Sequence, residues 1–180
     1  ALLVPERAFE IRYGLADLYR VQRRFADYEN VLAEILLLSP EHEASPGRLR
    51  RVFDEQGLDR LLLLYRIPED GALRARSSLA ELLVGLGRYA SAVEQGLVAV
   101  VQQLTTTIEG ILNREPEFSY ERIEEAVAVG RNYREVRRYL ETSSLHKDLY
   151  YLAAGLYAEG AEGQALEIWK LAADLPAGGN

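Results

Sequence analysis

The sequence contains no cysteine, no methionine, only two histidines and, among its 21 basic residues, only two lysines, Lys147 and Lys170. Without thiols there are no disulfide staples and no thiolate metal sites. With His42 and His146 far apart in sequence, few metal constellations remain. Apolar runs such as Leu61 to Tyr65 fall far short of the roughly 20 residues of a membrane-spanning helix. The opening residues do not read as a basic-then-apolar secretory leader. The missing methionine, initiator included, suggests a piece of a longer protein. Positive charge is also short: 28 acidic residues give a net charge of −7, which opposes general affinity for nucleic acid, where binding rests on summed positive charge.

What is present is globular. Of 180 residues, 48% are hydrophobic and 27% charged, enough apolar material for one domain or a short repeat array. Apolar residues recur at helical spacing, as in Tyr28, Val31, Leu32, Ile35 and Leu36, and no segment alternates with period two. Proline and turn signals at Ser39-Pro40, Ser45-Pro46-Gly47, Pro68, Asp70-Gly71 and Pro116 punctuate the periodic stretches. The pattern predicts an all-α chain with helices over about 6–23, 26–38, 46–56, 58–66, 71–86, 89–113, 118–129, 132–142, 146–159 and 162–174. Ser45 suits the cap before Pro46 at a first helical position. Ser78 and Glu81 have capping-box spacing inside a helix that can run straight through them.

These helices pair as hairpins whose turns fall at Arg23, Gly57, Gly87, Gly130 and Gly160, at intervals of 34, 30, 43 and 30 residues, about 34 on average. Glycine suits tight reversals that need a left-handed backbone. Small residues recur at Ala16, Ala80 and Ala153 with larger ones at Tyr19, Leu83 and Leu156. Phe25 and Tyr89 follow the turn, Ala92 and Ala165 sit in the second helix with Leu32 and Trp169, and Pro40 closes the first unit. In these residues the chain resembles the tetratricopeptide repeat (TPR) family. The resemblance implies stacked antiparallel hairpins in a right-handed superhelix over a single domain, 1–180, with repeats at about 9–40, 46–66, 73–113, 118–142 and 146–177. The second and fourth read as degenerate. The long interval reflects a helix continuing from Tyr89 through Val98, Val101, Leu104, Ile108 and Leu112, whose apolar stripe must be covered by the next hairpin or by a partner chain. Trp169 is expected to fill core volume, so that its truncation to Ala costs about 3–5 kcal/mol.

Several motifs invite chemistry and have duller explanations. Gly85-Leu86-Gly87-Arg88-Tyr89-Ala90 spells a dinucleotide fingerprint, but it follows a helix, where no pyrophosphate cradle forms, and reads as a repeat turn. Ser144-Leu145-His146-Lys147 has the Ser-x-x-Lys spacing of penicillin-binding enzymes without their companion motifs, and reads as a helix start. Glu121, Glu124 and Glu125 share a helix face, with Arg131, Arg134 and Arg138 on the next helix placed for salt bridges across the hairpin. No catalytic residue, cofactor or metal site is expected, and the chain reads as non-enzymatic.

The resemblance implies a protein–protein interaction scaffold whose concave groove, lined by the first helix of each hairpin, takes a protein or peptide segment. Carried over by position, the groove comprises Glu10, Tyr13, Asp17 and Arg20; Arg74, Ser77, Glu81 and Val84; and Lys147, Tyr150, Ala154 and Tyr157. The degenerate repeats add Arg51, Tyr120 and Glu124. In the family's carboxylate-clamping members Lys and Asn stand where this chain has Tyr13 and Asp17, so a partner's C-terminal carboxylate is not the expected ligand. The alternative is a homo-oligomerisation or regulatory segment that dimerises through the long helix 89–113 or the terminal helices; a small-molecule-binding helical domain is a third reading.

Overall fold

The computed structural model describes residues 5–39 and 45–176. Their secondary structure is entirely helical: α1 (Pro5–Val21), α2 (Phe25–Leu37), α3 (Pro46–Leu64), α4 (Leu73–Gly85), α5 (Tyr89–Leu112), α6 (Ile123–Gly130), α7 (Arg134–Thr142), α8 (Leu145–Ala158) and α9 (Glu162–Asp174). All ten expected helical stretches are present, with the third and fourth joined in α3 across Gly57, whose backbone leaves the helix at φ 83°. Ser45 caps α3 as its sequence suggests, its hydroxyl accepting from the Arg48 N–H at 3.3 Å. The α4 helix runs through Ser78, so no second start occurs there. Residues 118–122 are not helical, because α6 begins only at Ile123. His42 and Pro40 lie outside the described residues.

Three hairpins, α1–α2, α4–α5 and α8–α9, are made of directly packed neighbours, and they adjoin one another: α2 lies against α4, and α8 against both α4 and α5. They are the three hairpins whose residues carry the resemblance. The other two segments are placed differently from a simple succession of five. Both α3 and the α6–α7 hairpin pack on α5. The extension of α5 explains why. Val98, Val101, Leu104 and Ile108 are all buried, covered by helices of the same chain. An α5 stripe is therefore not left for a second copy, which removes the physical motive for a homodimer through 89–113.

Turns and close approaches account for specific glycines. Gly87 and Gly160 take φ values of 74° and 88°, and Arg23, at the matching turn of the first hairpin, is forced to 57°. Gly130 is different: its φ is not positive, and a methyl group there would sit 2.8 Å from Val136 Cγ1. It is glycine because α7 approaches closely, not because the chain reverses. At the α5–α8 crossing a methyl on Gly155 would lie 2.9 Å from Val93 Cγ2. Trp169 is only half-buried, its ring tilted 44° against that of Tyr157 with centroids 5.8 Å apart, while Ala165, Ile168, Leu171 and Ala172 carry the core face of α9. The full core penalty expected for its truncation does not apply to a ring that keeps one side in water.

A left-handed backbone costs a side-chain-bearing residue about 1–2 kcal/mol. Arg23→Gly should therefore stabilise the chain by about 1 kcal/mol in urea denaturation. Gly155→Ala should destabilise it by about 1–3 kcal/mol, the usual cost of overpacking a filled core.

Candidate functional site

The first helices of the three well-matched hairpins, α1, α4 and α8, are joined by a repeated ionic rung. Arg74 Nη2 on α4 donates to Asp17 Oδ1 on α1 at 2.6 Å, and Lys147 Nζ on α8 lies 2.5 Å from Glu81 Oε2 on α4. Counted from the turns Arg23, Gly87 and Gly160, both rungs pair the same positions: an acid in one hairpin and a base in the first helical turn of the next. Tyr151 on α8 adds a hydroxyl donated to Glu81 Oε1 at 3.2 Å. Burial pulls the Lys147 ammonium down, but Glu81 more than compensates and raises it above its ordinary value.

Asp17, Arg20, Arg74, Glu81 and Lys147, five residues expected in a groove, line one cleft of about 320 Å³ together with Phe25, Tyr28 and Leu82. Glu10, Tyr13, Asp17 and Arg74 line an adjoining, more open depression of about 630 Å³. Tyr150 and Tyr157 stand exposed on α8. Tyr13 is more committed to structure than its position suggested. Its hydroxyl donates to the Gly71 carbonyl at 2.6 Å and accepts from the Ala75 N–H at 3.1 Å, and the Arg74 guanidinium lies over its ring at 4.9 Å. Burial raises its pKa, against the lowering effects of the Ala75 N–H and Arg74.

The residues taken from the poorly matched segments do not join this face. Tyr120 is buried in the core, stacked on Phe118, because residues 118–122 cover the core in an irregular conformation. Glu124 lines a separate cleft of about 460 Å³ among α3, α6 and α9, beside Arg122, Asp59 and Lys170. Arg51 is exposed on α3, which packs against α5. Ser77 points inward. The acid–base faces of α6 and α7 also fail to meet: Glu124 pairs with Arg122 and Glu135 with Arg114, and Arg131, Arg134 and Arg138 form no ion pair among the described residues. Short helices packed side by side on α5 leave Arg134 and Arg138 exposed, while Arg131 is half-buried.

A buried polar seam beneath the α4–α8 contact was not singled out by sequence reasoning. Asp148 is 1% exposed, and its Oδ2 accepts from Ser77 Oγ (2.8 Å), Ser144 Oγ (2.8 Å) and Gln103 Nε2 (2.6 Å). Its Oδ1 has no hydrogen-bond partner among the described residues. Burial raises the carboxyl above its usual range, and the three donors only partly offset this. The signal lay in the register: Asp148 occupies the position held by Ile11 and Ala75 in the other two hairpins. Ser144, expected to start a helix, does precede α8 but spends its hydroxyl on this seam instead of capping. A second buried cluster joins Arg76 to Asp70 (2.7 Å), Ser39 (3.1 Å) and Gln102 (3.1 Å). Burial pushes Asp70 up, but Arg76, Ser39 and the Ala72 N–H outweigh it and hold the carboxyl below its ordinary value.

Among the described residues no three His, Cys, Asp or Glu side chains converge as a metal site, and no helix is long and apolar enough to cross a membrane. No protein-family model matches the chain, and no solved structure matches it significantly. It is 25% identical over 130 residues to an uncharacterized protein of Borreliella burgdorferi. The match takes in 71% of this chain and 40% of that protein's length.

A carboxyl raised in the folded state stabilises it below the unfolded pKa, and this contribution fades as pH rises through the folded value. Asp148→Asn, nearly isosteric, should therefore flatten the fall in stability between acidic and neutral pH relative to the unaltered chain. Urea midpoints measured for both across that range test the sign.

Proposed function

We propose that this chain is a non-enzymatic scaffold of TPR-like stacked hairpins that binds an extended segment of another protein along the face of α1, α4 and α8. The observation that carries the reading is the repeated rung, which pairs matching positions of three first helices and lines a cleft between them. The rungs also shape what the face recognises. With Asp17, Arg74, Glu81 and Lys147 paired to one another, exposed charge alone gives little selectivity. The exposed rings of Tyr150 and Tyr157 remain as contacts, with the exposed Glu10 and Arg20, which form no ion pair among the described residues. Tyrosine buries large area at low entropic cost while keeping a hydroxyl for hydrogen bonding, which is why it dominates binding energy at interfaces. Such a surface suits a segment with apolar side chains and free backbone polar groups, not a strongly charged tail.

Tyr150→Ala with Tyr157→Ala should abolish retention of a partner from native extract while leaving the thermal melt within a few degrees of the parent. Arg51→Ala, on α3, should change neither. Retention undiminished in the tyrosine variant, or lost equally in both, would remove the groove from the function.

A further inference from the structure

The α7 helix carries positive charge that no acid of the chain answers. Arg134, Arg137 and Arg138 lie at i, i+3 and i+4 on one face of α7 and are exposed, and half-buried Arg131 precedes them in the turn from α6. None of these four guanidinium groups forms an ion pair or a hydrogen bond among the described residues, and Arg131 Nε is buried without a partner there. Elsewhere Arg50, Arg76 and Arg88 each hold a carboxylate.

The carboxylates around α7 are committed to other groups. Glu135, next to Arg134, is held by Arg114 at 2.9 Å, while Glu115 accepts from the Tyr133 hydroxyl and Glu69 from the Tyr139 hydroxyl. On α6, Glu124 pairs with Arg122, and Glu125 Oε2 accepts from the Glu121 N–H at 3.4 Å. Glu141, at i+4 from Arg137, forms no ion pair with it among the described residues. The arrangement works against the helix. Like charges one turn apart repel, and a cation at the helix N-terminus, where Arg134 stands, opposes the helix dipole. Local rules broken with no compensation inside the fold mark a place to look for a ligand outside it.

Charge complementarity sets the chemistry of that ligand. Guanidinium forks match carboxylate or phosphate oxygens in pairs. A long phosphate array is opposed by the net charge of −7 and by Glu135 and Glu141, exposed beside the arginines. A lipid surface is opposed because the exposed positions of α7 are all polar, with Val136 and Leu140 buried in the core. We infer that the exposed face of α7, together with Arg131, is a docking site for a short acidic segment of another protein, whose carboxylates these arginines grip. The site lies outside α1, α4 and α8, so it stands or falls separately from the groove.

Fluorescence anisotropy with a short labelled Glu-rich peptide, against a Gln-rich peptide of equal length, tests the inference. The unaltered chain should bind the Glu-rich peptide at low salt, release it as salt rises, and ignore the Gln-rich one. Arg134→Glu with Arg138→Glu should weaken binding by about tenfold or more, each reversal removing an attraction and adding a repulsion. The same variant should melt no lower than the unaltered chain, since it relieves the repulsion and places an acid at the helix N-terminus. Arg134→Gln with Arg138→Gln, which cancels the charge without reversing it, should show a smaller loss. Arg51→Glu with Arg60→Glu, the same change in net charge on α3, should leave binding intact, as should Tyr150→Ala with Tyr157→Ala. Equal binding of the two peptides, or equal loss in the α7 and α3 variants, overturns the inference. Phosphatidylserine vesicles or duplex DNA bound more tightly than the Glu-rich peptide would overturn it in favour of a phosphate ligand.

Discussion

A helix buried on all sides must hand every polar side chain to another protein group, and α5 is such a helix over residues 96–105, with Thr107 and Ile108 buried beyond it. Gln102, Gln103, Thr105 and Thr107 are each at most 1% exposed, in the midst of valines and leucines. A buried polar group left without a partner costs about 1–3 kcal/mol; Thr107 bonds back to the Gln103 carbonyl of its own helix, and the other three each fix the position of something else. Gln102 donates to the Pro68 carbonyl and accepts from Arg76; Thr105 accepts from the Ile67 N–H; Gln103 reaches Asp148 on α8. The irregular segment before α4, α4 itself and α8 are thereby set in register on one rod. Apolar burial supplies the cohesion, but it is non-directional, and the directional information is in Gln102, Gln103 and Thr105.

The same division separates what holds the α1–α4–α8 face from what it displays. Exposed ion pairs contribute only about 0–1 kcal/mol each, and the two rungs are of that kind. The face is positioned from below, by Tyr13 spanning from α1 to the start of α4 and by Ser77 and Ser144 converging on Asp148. Its surface side chains can accordingly vary or exchange partners without disturbing the helices that present them. That is a useful property in a surface that must lose water and reorganise its charges against a ligand.

Helical spacing made the all-α class and nearly every helix legible, because the periodic positions of α2, α5, α8 and α9 are the ones that became buried. Turn positions were legible for the same local reason, with Gly87 and Gly160 in the left-handed region. Five residues that the resemblance assigns to a groove line one cleft, since position within a hairpin fixes which side of its first helix a residue occupies. What sequence could not supply was the packing partner of each element. Tyr120 and Glu124 were assigned by extending a regular succession through segments whose neighbour is α5, and a linear count carries no information about which helix lies across the core. Gly130 looked like a turn glycine because the identity of Val136 as its neighbour is a tertiary fact. Asp148 was hidden in a stretch that otherwise reads as apolar.

The two segments that fit the repeat poorly and the one helix that overruns it have a common cause. A hairpin inserted between two stacking units must leave the row, and it then needs an apolar surface outside the row to cover its own. Prolonging α5 beyond the length its hairpin partner α4 requires provides that surface, and α3, α6 and α7 are all packed upon it. The close seats made by Gly110 and Gly130 for Val136, where an added methyl would fall within 2.9 Å and 2.8 Å, show how tightly the α6–α7 pair is fitted there. Loop closure adds little to the cost, because its entropy grows only with the logarithm of length. Ion pairing at Arg50 to Glu159, from α3 to the end of α8, ties the first insertion back to the third hairpin. The insertions thus thicken one side of the row without separating its members, and the register between α1, α4 and α8 survives interruptions that, in sequence, look like failures of the repeat.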